Sequence, residues 1–218
     1  MNRKVKMLWI CILIASFLLF PGCTGPEITD RSVFQEQVCG TVPEVCMAFD
    51  LDEEQVRNAM DGNGEMPSMG YAQYAGLVWT VYPCFDAKTQ RMYGYSYQIR
   101  YDENPDQAAP IFINILAELN EDLDAPIKEL NPIPLYQQIT AETTLKRIWE
   151  MKHFLFQRRW PLNGAFSEKQ LDAAEAFKEA HPRYAPSAHL YGVVFTYEAD
   201  LETASFTLTY RFFPYSDF

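Results

Sequence analysis

Histidine is almost missing from this chain: there are three in 218 residues, and none of His153, His181 and His189 has a second histidine or a cysteine at a ligand spacing. No zinc site is expected from such a set. Glycine patterns that cradle phosphates are also lacking, since no Gly-x-Gly-x-x-Gly and no phosphate loop occurs, and no Gly-x-Ser-x-Gly string offers a nucleophile at a sharp turn. The sequence therefore nominates no catalytic residue, no metal ligand and no cofactor. Basic charge is scarce as well, with 18 Lys and Arg against 29 Asp and Glu. A body so acidic is repelled by phosphate backbones and anionic headgroups, which excludes nucleic acid as a partner and leaves membrane contact to something other than the protein surface.

What is present begins at the amino terminus. Arg3, Lys4 and Lys6 precede an apolar run from Met7 to Phe20, with no acidic residue among the first 22. A basic start followed by such a run is the pattern of a secretory signal. Its roughly 14 residues give about 21 Å of helix, short of the ~30 Å hydrocarbon core, so it is not expected to persist as a spanning helix.

The run ends in Phe20-Pro21-Gly22-Cys23. This resembles the bacterial lipoprotein signal, in which a small residue precedes a cysteine that is acylated and becomes the first residue after cleavage. Gly22 and Cys23 match; Phe20 and Pro21 stand where that signal usually has Leu and a small residue. The resemblance covers about a tenth of the chain. It implies a signal peptide at 1–22, lipid on Cys23, and a protein tethered to the outer face of the cytoplasmic membrane or within the envelope. Acyl chains at about 0.8 kcal/mol per buried methylene make such an anchor stable. Loss of residues 1–22, with their three basic side chains, takes the net charge from −11 to −14.

Export permits disulfides, and Cys39, Cys46 and Cys84 remain after the leader and Cys23 are set aside. Cys39 with Cys46 is the favoured bridge on proximity in sequence, Cys46 with Cys84 is open, and three free thiols are the alternative.

Residues 23–31 read as a polar tether broken by Gly and Pro, and 32–218 as one α+β domain, with possible halves 45–125 and 135–218. Asp50 with Glu53 suggests a capping box opening a short helix that stops before Gly62. From Tyr74 to Tyr82, and again from Tyr93 to Tyr101, apolar and aromatic residues alternate with small and polar ones, so an antiparallel hairpin turning at Asp86 to Gln90 is expected, its first strand ended by Pro83. Helices are expected from Pro110 to about Leu123, from about Ala141 to Gln157, and from a capping box at Ser167 and Gln170 to Pro182. Residues 126–134, with three prolines, read as a connection or irregular edge. A second aromatic hairpin runs from Tyr191 to Phe212. Its start, Tyr191-Gly-Val-Val-Phe-Thr, is locally similar to Ala75-Gly-Leu-Val-Trp-Thr in the first. The expected architecture is an antiparallel sheet built from these two hairpins, with three or four helices on one face and possibly two related halves.

Few constellations bear on chemistry. Asp61-Gly-Asn63-Gly-Glu65 starts like a calcium loop but has Met66 where glycine is needed and Ala72 where the last acid is due, so a polar turn is expected. Cys84 with a distant histidine is better explained as a buried or bridged thiol. Arg158, Arg159 and Trp160, placed just past a helix end, form a candidate stacking cluster for sugar or peptide; packing of the tryptophan beneath the arginines is the plainer reading. The leading functional expectation is a membrane-tethered extracytoplasmic lipoprotein of non-enzymatic binding type with an unknown protein or glycan partner. Two alternatives stand beside it: a hydrolase of wall or glycan using paired carboxylates, and an assembly factor or inhibitor of an envelope enzyme.

Overall fold

The computed structural model describes residues 27–101, 105–126, 128–134, 136–161, 167–182 and 192–211. Along them run α1 (Arg31–Glu36), α2 (Val42–Phe49), α3 (Glu53–Met60), β1 (Gly70–Tyr74), β2 (Leu77–Asp86), β3 (Arg91–Tyr101) and α4 (Pro105–Asp122). They continue with β4 (Lys128–Leu130), α5 (Ala141–Met151), β5 (His153–Pro161), α6 (Glu168–Ala180), β6 (Gly192–Asp200) and β7 (Ala204–Arg211). The fold is α+β. Among the described residues the strands form one antiparallel sheet in the order β1-β2-β3-β7-β6-β5-β4, in which the hairpins β2–β3 and β6–β7 meet along β3 and β7.

Alternation along the strands divides the sheet into an aromatic and a polar face. Opposed residues of an antiparallel pair share a face, so Trp79, Val81, Tyr95, Tyr97, Phe195, Tyr197, Phe206, Leu208, Phe156 and Trp160 all point one way. Every one of them is buried. Helices close over this face: Phe34 of α1 lies 6.1 Å from Tyr95 and 6.4 Å from Tyr97 between ring centres. Phe112 of α4 stacks on Tyr197 at 4.6 Å and meets Phe156 at 5.0 Å. Rings at such distances add about 0.5–1.5 kcal/mol per pair to the hydrophobic gain of burying them.

The two hairpins are related by more than their similar strings. Aligning Thr80 with Thr196, as those strings require, makes their hairpin partners Gln98 and Thr207 counterparts too. Gln98 and Thr207 are themselves opposed across the β3–β7 seam. The pairing is thus symmetric about that point, with β1-β2-β3 on one side mirrored in order by β7-β6-β5 on the other.

Several boundaries differ from those expected, each for a local reason. The run from Tyr74 to Tyr82 is two strands, because Ala75 and Gly76 both take positive φ (51° and 69°) and fold β1 back on β2 in a primed-type turn. Pro83 does not end β2, which continues to Asp86. β1 pairs only as far as Val81, so beyond it β2 is an edge that tolerates a missing donor. Asp50 caps no helix start; it ends α2 in a left-handed conformation, while Asp52 caps α3 through the Gln55 N–H. Pro110 lies inside α4 instead of opening it. The helix expected over 141–157 stops at Met151, where Lys152 turns left-handed (φ 64°), and 153–161 becomes β5, burying Phe154, Phe156 and Trp160 at period two.

The tether expected at 23–31 is also shorter. Ile28 bridges Tyr71 in parallel, and the Thr29 N–H donates to the Tyr71 carbonyl at 2.8 Å, so the chain is already joined to the edge strand there. Asp30 then caps α1 through Ser32, and the Arg31 guanidinium sits 4.1 Å above the Tyr210 ring. Cys23 and the leader lie outside the described residues.

Candidate functional site

The polar face is where this fold offers chemistry to a partner. One row across it, set by register, reads Tyr71, Thr80, Gln98, Thr207, Thr196, Gln157. It is a band of hydroxyls and amides, partly tied together by Gln157 Nε2 donating to Thr196 Oγ1 at 3.2 Å. In a neighbouring row Thr209 Oγ1 and Ser96 Oγ are linked at 3.3 Å, but both residues are buried, so the accessible groups are those of the first row. Such groups both donate and accept, which suits a polar ligand and gives no nucleophile special activation.

At the end of the face near the β6–β7 turn lies a cleft of about 190 Å³ lined by Arg100, His153, Glu198, Asp200, Thr203 and Ser205. His153 opens β5 opposite Asp200 and places Nε2 2.9 Å from Glu198 Oε1. Both side chains are more than half exposed, at 56% and 55%, so the pair is accessible and contributes little to stability. Asp200 is committed to the turn: its carboxylate accepts the N–H groups of Glu202 and Thr203, and these bonds hold its pKa below the ordinary value.

A second pairing of histidine with acid is structural. His181, at the end of α6, donates Nε2 to Asp86 Oδ1 at 2.8 Å, and Asp86 also accepts the N–H and hydroxyl of Thr89 at 2.7 and 2.6 Å. Burial alone would raise the Asp86 pKa, but these hydrogen bonds outweigh it and hold the carboxyl below its ordinary value. Phe177 stacks on the imidazole at 4.5 Å, and both partners are buried, so the pair fastens α6 to the β2–β3 turn.

The residues nominated from sequence are dispersed. Arg158, Arg159 and Trp160 lie on β5, not past a helix end, and Trp160 is fully buried on the aromatic face, so the expected stacking cluster is not presented to a ligand. Arg158 pairs with Glu129 of β4 and donates to Asn120 Oδ1 at 3.0 Å, while Arg159 points to the other face and donates to Gln157 Oε1 at 2.7 Å. The expected Cys39–Cys46 bridge is absent: both are free, as is Cys84. Cys39 belongs to the main core and Cys46 to a separate cluster with Val42 and Val56, which keeps the two thiols apart. Burial pushes Cys39 and Cys84 up to about 11, making both poor nucleophiles at neutral pH.

Among the described residues no group of three or more His, Cys, Asp and Glu is placed to hold a metal, and Asp61 simply ends α3. The mark of a paired-carboxylate hydrolase would be a carboxyl raised by burial or a like charge. The described carboxyls with a resolved shift, Asp30, Glu44, Asp86 and Asp200, are all shifted down. His153 with Glu198 was not legible as a site, because His153 reads as part of a helix and its acid lies 45 residues further on. The alternation of Phe154 and Phe156 was the available signal. Comparison with family models, curated proteins and solved structures finds no match to this chain.

Proposed function

We propose that this protein is an extracytoplasmic lipoprotein of non-enzymatic binding type, tethered through lipid on Cys23 and turned toward a protein or glycan partner. The observation that carries this reading is the placement of the chain's entry into the sheet. Only four residues separate Cys23 from Ile28, which joins the β1 edge, and β4 is the opposite edge of the sheet. With strands about 4.8 Å apart, the far edge stands roughly 29 Å from the near one. The half of the polar face toward that far edge carries the His153–Glu198 cleft. Leu130 on the far edge strand β4 is exposed, as are Tyr136, Trp149 and Met151 elsewhere, apolar and aromatic side chains of the kind that suit a partner surface.

The test is the mass of the mature amino terminus from cells, together with labelled fatty-acid incorporation into the full chain and its Cys23→Ala variant. Acylated Cys23 as the first residue, with label lost in the variant, supports the reading. An unmodified terminus, or retention of residues 1–22, overturns it.

A further inference from the structure

We propose that the β1 edge of the polar face is a bilayer-docking surface, held against lipid headgroups by the anchor. This rests on the reading that Cys23 carries lipid. The five residue steps from Cys23 to Ile28 span at most about 18 Å when fully extended. Ile28, joined to Tyr71 and hence to β1, cannot lie farther than that from the anchored residue. A domain of this size is about 40 Å across, so the side bearing Ile28 must be the one turned to the membrane.

That side has the right chemistry. Ile28, Tyr71 and Val78 are 43%, 39% and 46% exposed, unusually high for apolar residues on a sheet. They are neighbours: Ile28 bridges Tyr71, which faces Thr80, and Val78 is diagonal to Tyr71 on the same face. A tyrosine flanked by aliphatic side chains fits the headgroup boundary, where its ring is apolar and its hydroxyl stays wet.

Charge supports the same occupant. In a chain with 29 acidic residues, the polar-face positions of β1, β2 and β3 from Tyr71 to Gln73, Val78 to Tyr82 and Ser96 to Arg100 include no acid. Their charged member is Arg100, which is exposed and stands at the boundary with the cleft that it lines together with Glu198 and Asp200. The other half of the face carries Glu198 and Asp200. Net charge alone leaves membrane contact to the lipid; exposed Glu27 and Asp30 flank Ile28, so the part of this edge that is not repelled by anionic headgroups is the acid-free strand surface around Tyr71 and Val78. A protein partner on the same patch would not need the short reach.

The test uses the full-length gene expressed in cells, with the processed protein reconstituted in vesicles of phosphatidylethanolamine and phosphatidylglycerol carrying brominated acyl chains. Tyr71→Trp is compared with Tyr136→Trp, which places the same probe on an exposed site that follows the opposite edge strand β4 in the chain. Bromolipid quenching added by Tyr71→Trp should exceed that added by Tyr136→Trp at least about twofold, and Val78→Glu should remove the excess. Lipidated protein with equal or no added quenching overturns the docking surface and leaves the anchor standing. Protein whose mature terminus carries no lipid overturns anchor and docking together. The mass spectrum separates these two failures.

Discussion

The halves of the sheet on either side of the β3–β7 seam share a strand order and a register, yet they differ in what they show to solvent. On the aromatic face both are sealed, one by Phe34 and the other by Phe112. On the polar face the outward residues of β1–β3 around Tyr71, Val78 and Gln98 include no acid, and Ile28, Tyr71 and Val78 are exposed at the edge, whereas the β5–β7 half supplies His153, Glu198 and Asp200 to a cleft that Arg100 of β3 also lines. Pairing and core patterning fix the framework, and the outward residues remain free to diverge without cost to folding. Likeness of the halves is therefore a statement about stability, and difference between them a statement about the surface each exposes.

Substitutions can break this comparison in order of size. Phe112→Ala removes a ring that packs on Phe154, Phe156, Phe195 and Tyr197. It should cost about 3–5 kcal/mol, read from urea unfolding, and Phe34→Ala should cost a similar amount if the halves share one cooperative core. Separate transitions in the Phe112→Ala protein would show that the seam does not couple them. Gly94→Ala attacks the seam directly, because an added Cβ would fall 2.1 Å from the Tyr210 backbone oxygen. Strands β3 and β7 would be pushed apart at a loss of about 3 kcal/mol, visible as a fall in Tm.

Asp86→Ala should cost about 2–3 kcal/mol by leaving His181 and the Thr89 N–H without their acceptor. The pH dependence has a definite sign. The folded-state pKa of Asp86 lies below its ordinary 3.8, so its contribution is present above 3.8 and lost as pH falls through the lower folded value. Asp86→Asn should flatten that part of the acid limb in pH-dependent unfolding. Glu198→Gln sharpens the comparison at the small end: the pair with His153 is exposed, so stability should change by less than about 1 kcal/mol while partner binding falls. A large loss of stability would make the cleft part of the framework instead.

The framework was the legible part of this chain. Tyr95, Tyr97, Phe206 and Leu208 announce themselves by alternation, and that alternation survives folding because each pair of strands buries the same face. Boundaries failed where a local conformation interrupts a pattern without breaking it. Ala75 and Gly76 preserve the alternation from Tyr74 to Tyr82 while reversing the chain, and at Lys152 the chain switches from helix to strand within a stretch whose apolar residues, Ile148, Trp149, Leu155 and Phe156, also fit one helix face. The candidate site was illegible for another reason. Glu198 meets His153, and Asp86 meets His181, only through sheet register or the return of a helix, and neither is written in spacing.

Arg31 has a mechanical consequence. A load applied through the amino-terminal segment first meets the Ile28 bridge and the Thr29 hydrogen bond at the edge of the sheet, then α1, whose first residue rests on Tyr210. Tyr210 stacks on Tyr95 at 5.2 Å across the central seam. A tug at the margin is thus handed to the middle of the molecule, so detaching the leading segment and loosening the core should occur at the same force.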